Sequence, residues 1–370
     1  VPSKDLEHRI DRGERITPEE ALALYHDPDL FALGRLADRA NRRKNGLKVY
    51  FNVNRHINPT NHCVYTSSCT FCSFAAKPGE EHAYVLSDEQ ILEEARDIER
   101  DGVREIHVVG GLHHKFPFDW YKHVLGLLKE HHPSVHLKAY TAVEIEWFTR
   151  LTGHSAERVL DELKEAGLDS MPGGGAEIFA DRVRRRICPD KADAERWLEI
   201  HEVAHGRGIR SNATMLYGHV ETLEERVDHM NRLREVQDRT GGFQAFIPLA
   251  YLPENNELDV HGYTSALDDL RTVAVSRLFL DNFRHVKTYW VTTTEKVAQL
   301  ALLFGANDID GTVRRERISH MAGALSPEHL PEQRLVAMIR ESGRVPVERD
   351  TLYHELRTYE PAETALGRAS

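Results

Sequence analysis

The sequence predicts an α/β protein, a (β/α)8 TIM-type barrel with an N-terminal helical extension. Three observations carry that expectation. Eight short apolar stretches alternate with longer amphipathic ones, which is the pattern of a parallel sheet with crossover helices. A chain of 370 residues can bury the core of one large domain and carry an appendage. The glycine, cysteine and histidine motifs also fall where strands end and the next loops begin, the face on which such barrels place their sites.

Residues 1–45 read as helical. Thr17 precedes Pro18, Glu19 and Glu20, which puts proline in a first turn and acids at the positive end of the helix dipole. Strands are expected near 47–53, 104–109, 135–142, 168–171, 210–217, 243–249, 285–290 and 306–309. Helices are expected near 87–101, 118–131, 155–166, 191–206, 222–239, 266–282 and 294–304. The barrel then spans 46–330, and the charged stretch 331–370 is expected to be a helical tail.

Composition narrows the class of function. Hydrophobic residues at 41% and charged residues at 29% place the chain among soluble globular proteins, and no apolar run reaches membrane-spanning length. A formal charge of -11 argues against a general nucleic-acid binder. The one basic knot, Arg182 to Arg186, reads as a solvated helix face. No charged segment followed by an apolar one opens the sequence at Val1, so the expected setting is cytoplasmic and reducing, and neither nucleic acid nor membrane is expected as a partner.

Three of the four cysteines, Cys63, Cys69 and Cys72, lie within NHCVYTSSCTFCSF. Closely spaced thiolates in a large chain suit a metal or cluster rather than a disulfide framework. Three thiolates on a [4Fe-4S] cluster leave one iron open to an exogenous ligand, which implies chemistry and not only electron storage. Two zinc readings compete. One is a Cys3His site completed by His62 or another histidine. The other is the HEVAH string of His201, Glu202 and His205, whose i, i+4 imidazoles share a helix face as in zinc proteases, although Ser211 stands where the extended pattern has a third histidine. Cys188 lies outside the triplet and reads as a small buried residue.

Other candidates sit at strand ends. Gly110 and Gly111 let the backbone approach a ligand closely. Glu177, after Gly173, Gly174 and Gly175, reads either as an acceptor for a ribose or ammonium group or as a helix N-terminal acid, and Glu221 has the same two readings. His56 reads as an acid, base or hydrogen-bond donor at the barrel mouth or as a satisfied loop residue. Arg277 is a candidate bidentate donor to a substrate carboxylate, with a helix-face arginine as the alternative. Asn307, on the last strand, is a third candidate for the substrate.

The cysteine loop resembles that of the radical S-adenosylmethionine superfamily, including the aromatic Phe71 before the last cysteine. It departs in having five residues rather than three between Cys63 and Cys69. Longer stretches resemble the aminodeoxyfutalosine synthase family within it: HINPTN (56–61), VVGGLHHKFPFDWY (108–121), MPGGGAEIFADRVRRRICPDK (171–191), ATMLYGHVET (213–222), TGGFQAFIPLAYLPENNEL (240–258), AVSRLFLDNF (274–283) and FGANDIDGTV (304–313). The resemblance implies a [4Fe-4S] cluster on Cys63, Cys69 and Cys72. It implies S-adenosylmethionine bound by Phe71, Gly110, Gly111, Glu177 and Glu221, and an electron donor such as flavodoxin or ferredoxin. It further implies addition of the 5'-deoxyadenosyl radical to 3-[(1-carboxyvinyl)oxy]benzoate, with rearrangement and loss of a carboxyl group. His56 and Arg277 would serve catalysis and, with Asn307, the substrate. The sibling dehypoxanthine futalosine cyclase is the rival within the superfamily.

Overall fold

The computed structural model describes residues 4–360. Three helices lead: α1 (Lys4–Arg12), α2 (Pro18–Tyr25) and α3 (Leu30–Asn45). Thr17 and Glu20 close a capping box on α2, with Pro18 at its first position, as the sequence indicates. The helices α2 and α3 pack on the outer barrel helices α10 (Leu223–Thr240) and α11 (Ala266–Phe279), where their apolar faces are buried.

The strands are β1 (Lys48–Phe51), β2 (Asn54–Ile57), β3 (Glu105–Val108), β4 (His136–Ala139), β5 (Ser170–Met171), β6 (Arg210–Tyr217), β7 (Phe243–Ala250), β8 (His285–Thr288), β9 (Asp308–Ile309), β10 (Val345–Arg349) and β11 (Glu355–Thr358). Sheet order runs β11-β10-β1-β9-β8-β7-β6-β5-β4-β3-β2. Because β1 and β2 are consecutive segments broken only at Asn52 and Val53, the order returns to its start. That makes eight parallel staves, the expected barrel. The crossover segments hold α4 (Asp88–Glu94), α5 (Phe118–His131), α6 (Ala142–Thr152), α7 (Ala156–Glu165), α8 (Asp181–Ile187), α9 (Ala194–Gly206) and α12 (Trp290–Ala301). After β9 come α13 (Ile318–Met321) and α14 (Glu332–Glu341).

Two expectations need correction. The segment 331–370 is not simply helical: after α14 the chain forms β10, parallel to β1, and then β11, antiparallel to β10. There β10 fills the seam that opens because β1 faces β9 while β2 faces β3. Buried Arg349 of β10 reaches Asp308 of β9 at 2.7 Å, and Tyr353 stacks on His285 with centroids 3.8 Å apart. Residues 361–370 lie outside the described residues. Second, the strand expected through 142 ends at Ala139, because Thr141 and Glu144 form a capping box that starts α6.

Candidate functional site

The chain at or just beyond β2 to β9 converges on a cavity of about 320 Å³. It is lined by His56 of β2, the three cysteines and Phe71 of the following loop, and Gly110 and Gly111 after β3. Thr141 and Glu144 at the start of α6, Gly173 to Gly175 after β5, and Asn212 and Thr214 of β6 continue the wall. Ile247, Leu249, Tyr289, Asp310, Glu316 and Ser319 complete it.

The cysteine loop is held by its own backbone. Thr66 N donates to Cys63 O (3.2 Å) and Cys69 N to Tyr65 O (2.8 Å), so the five-residue spacer coils into a helical turn and absorbs its extra length. Thr70 N donates to Ile187 O at 2.9 Å, pinning the loop to α8. Gly110 and Gly111 pack on the chain that leads into it. A Cβ at Gly110 would lie 2.7 Å from Thr60 O, and one at Gly111 would collide with His62 O.

Donor chemistry separates a single ion from a cluster. Among the described residues no three His, Cys, Asp or Glu side chains converge tightly enough for one metal ion. A four-iron cluster instead takes one thiolate per iron, and three thiols with no competing carboxylate or imidazole ligand suit it. Cys72 is held below the ordinary thiol range by a hydrogen bond from Cys69 and by the nearby Lys191 ammonium, while burial raises Cys63.

Lys191 is the only lysine or arginine among the lining residues, and the sequence reading missed it. It pairs with Glu177 Oε1 at 3.1 Å and lies 4.9 Å above the Phe71 ring. Its ammonium is held well above the ordinary lysine value, against desolvation, by Cys69, Glu177, Cys188 and Cys72. Glu144 was missed as well. Burial raises it to about 7, although it accepts from the backbone N–H groups of Thr141 and Gly110. A capping-box acid directly after a barrel strand was the available signal.

Several expected residues sit elsewhere. Arg277 is 1% exposed and donates to Gly305 O (2.7 Å), Arg284 O (3.0 Å) and Asn307 Oδ1 (2.6 Å), so it ties α11 to β8 and β9 and does not reach a substrate. Burial lowers it to about 9, with no carboxylate beside it. Asn307 belongs to the same buried network, where its Oδ1 also accepts from Val286 N. Glu221 is turned into its own loop, accepting from Gly218 N (2.6 Å), His219 N (2.9 Å) and Arg226 Nε (2.8 Å). Glu177 meets the site through Lys191. The HEVAH histidines share one hydroxyl, His201 Nδ1 and His205 Nε2 each lying 2.8 Å from Ser211 Oγ, and Glu202 pairs with Arg239, which leaves no zinc-protease geometry. In the basic knot, Arg184 is buried on the carbonyl of Ala176 and Arg182 pairs with Glu225.

A closed parallel barrel with a three-cysteine loop after its first strand defines a class, and residues 57–233 match the family model of the radical SAM superfamily. Residues 240–362 match the CofH/MqnC C-terminal region. The chain belongs to the aminodeoxyfutalosine synthase family of radical SAM enzymes, which use a [4Fe-4S] cluster and S-adenosylmethionine. It is 48% identical over 362 residues to the aminodeoxyfutalosine synthase of Thermus thermophilus, covering 97% of each chain. To the cyclic dehypoxanthine futalosine synthase of Streptomyces coelicolor it is 40% identical, covering 95% of this chain and 89% of the other. The crystal structure of methylornithine synthase shares the fold, with a TM-score of 0.74 at 16% identity over 92% of this chain and 97% of that one. No helix among the described residues is long and apolar enough to cross a membrane.

Proposed function

We propose that this enzyme joins the adenosyl part of S-adenosylmethionine to 3-[(1-carboxyvinyl)oxy]benzoate, with loss of a carboxyl group, to give 6-amino-6-deoxyfutalosine. The observation that carries the reading is identity of 48% to a named synthase along almost the whole chain, barrel and C-terminal strands alike. Similarity to the cyclase is lower, at 40%.

Cys63, Cys69 and Cys72 hold the cluster. Bound there, a [4Fe-4S] cluster would supply the electron for reductive cleavage of S-adenosylmethionine, the source of the adenosyl group that is joined to the vinyl ether. Lys191 offers its ammonium to the methionine carboxylate, and Glu177 holds it in place. The Gly110 and Gly111 backbone and Phe71 form the wall beside it. Val109, Leu112, Val143, Ile247, Leu249 and Tyr289 enclose an aryl group and keep water from the reacting carbon. His56 serves the substrate end.

The electron donor is a low-potential one-electron carrier such as flavodoxin or ferredoxin, and a reducing cytoplasmic setting suits four free cysteines. The barrel of 46–330 carries the chemistry, with the C-terminal strands sealing its base. Mass spectrometry of anaerobic reactions containing reconstituted protein, reductant, S-adenosylmethionine and the carboxyvinyl ether tests the proposal. A decarboxylated adenosyl–aryl adduct is expected. An intact cluster that leaves the vinyl ether unchanged but turns over dehypoxanthine futalosine would assign the chain to the cyclase instead.

A further inference from the structure

Two imidazoles on the cavity wall, whose charged neighbours are not those of the cysteines, have no partner at Nε2. His56 of β2 and His107 of β3 are paired in register, and their rings meet edge to face with centroids 4.6 Å apart. Both line the cavity, and the Nε2 of each is buried with no hydrogen-bond partner in the protein. An unpaired buried polar atom costs about 1–3 kcal/mol, and no protein hydrogen bond at Nε2 fixes either ring, so both imidazoles keep their polar capacity for a ligand in the cavity they line.

The charged groups around the pair define what that ligand is. Glu105, Lys138 and Asp310 face both rings, and Glu316 faces His56. Each carboxylate already has a cation: Lys138 on Glu105 at 2.7 Å, Lys287 on Asp310 at 3.0 Å, and His320 on Glu316 at 3.1 Å. The bond to Glu316 raises His320 to about 9, so it is charged at neutral pH. Burial lowers both cavity imidazoles, His107 to about 3, so with only protein around them they are neutral at pH 7. The surroundings of the pair are therefore balanced in charge, and an arriving anion has no counter-ion waiting. The two rings are the groups placed to take up the matching proton.

We propose that His56 and His107 form a proton-coupled carboxylate site that binds the ring carboxylate of the aryl substrate, taking up one proton as it binds. The inference rests on the function proposed above. The vinyl carbon must lie toward Lys191 and the cysteines, so the carboxylate meta to the ether oxygen points away from them, toward the pair and its separate set of charged neighbours. One imidazole donates a neutral N–H and the other becomes the imidazolium that balances the anion. Arg277, the guanidinium expected for this task, is spent on backbone carbonyls.

The test is calorimetry on reconstituted enzyme with bound S-adenosylmethionine and no reductant, in phosphate and in Tris at one pH. The ligands are 3-[(1-carboxyvinyl)oxy]benzoate and its ring amide, 3-[(1-carboxyvinyl)oxy]benzamide. The acid should bind with uptake of about one proton and at least about tenfold more tightly than the amide, which should bind with none. His107→Gln should lower the proton uptake and narrow the preference, and the pair of ligands gives the same contrast in unaltered protein. Equal affinity for acid and amide, or acid binding without proton uptake, overturns the site while leaving the function proposal standing. Binding of S-adenosylmethionine but of neither aryl ligand overturns both.

Discussion

Glu177 holds Lys191 against the cysteine loop, with Oε1 3.1 Å from Nζ, and does so from a left-handed backbone conformation at φ 46°. A non-glycine residue there carries about 1–3 kcal/mol of strain, which the surrounding structure must impose, and such strain gathers at functional sites. The turn brings a carboxylate to the only cation on the cavity wall.

Replacing that cation should therefore act on the cosubstrate. Lys191→Met is expected to weaken S-adenosylmethionine binding at least about tenfold, the scale of one charge-assisted hydrogen bond. Iron content after reconstitution should be unchanged. Equilibrium dialysis on the anaerobic protein measures the first and iron analysis the second. Glu177→Gln should have a smaller effect in the same direction, since the lysine remains.

The four cysteines separate sharply by position. Cys63, Cys69 and Cys72 line the cavity, whereas Cys188 is 1% exposed at the C-terminal end of α8 and lines no part of it. Alanine at any of the first three should abolish reductive cleavage of S-adenosylmethionine, and Cys188→Ala should keep most of it. Quantifying 5'-deoxyadenosine by chromatography decides the point, and retained cleavage in Cys69→Ala would refute the ligand assignment.

Arg277 makes a prediction of the opposite kind. Arg277→Ala leaves the Gly305 and Arg284 carbonyls and Asn307 without their buried donor, a loss of about 3 kcal/mol or more in unfolding free energy. The protein that remains folded should keep its KM for the aryl substrate. Urea unfolding measures the loss, and a KM raised tenfold with stability intact would return Arg277 to the substrate.

What could be read from sequence follows the range of the forces involved. Strand and helix placement along β3 to β9 rests on local periodicity, and the barrel could be read from it. The C-terminal strands could not: β10 is charged at Glu348 and Arg349, and it becomes a strand only because β1 presents an open edge some 300 residues earlier in the sequence. The cysteines and Gly110 and Gly111 were legible because their chemistry or steric freedom is specific to the residue type. Arg277, Asn307 and Glu221 were misplaced because a polar residue at a strand or helix end faces a site or a buried network with equal ease. Only tertiary partners decide which. Lys191 was hidden for the same reason, as one lysine among many until its neighbours are known.

Buried neutral histidines predict the acid limb of stability. Burial lowers His229 to about 3 and His205 to about 4, with Thr214 O beside His229 Nε2 only partly opposing it. In the unfolded chain both return to about 6.5. The folded values are the depressed ones, so below about pH 6.5 the unfolded state binds protons first. Stability present above that pH drains as pH falls toward the folded values, by about 1.4 kcal/mol per pH unit for each such histidine. His229 stacks on Phe179, 4.0 Å between centroids, and lines no part of the cavity. His229→Gln should therefore reduce the slope of unfolding free energy between pH 6 and pH 4 by about 1.4 kcal/mol per unit, even if it lowers stability at pH 7. Urea titrations at several pH values give that slope, and an unchanged slope would mean that His229 is already protonated in the fold.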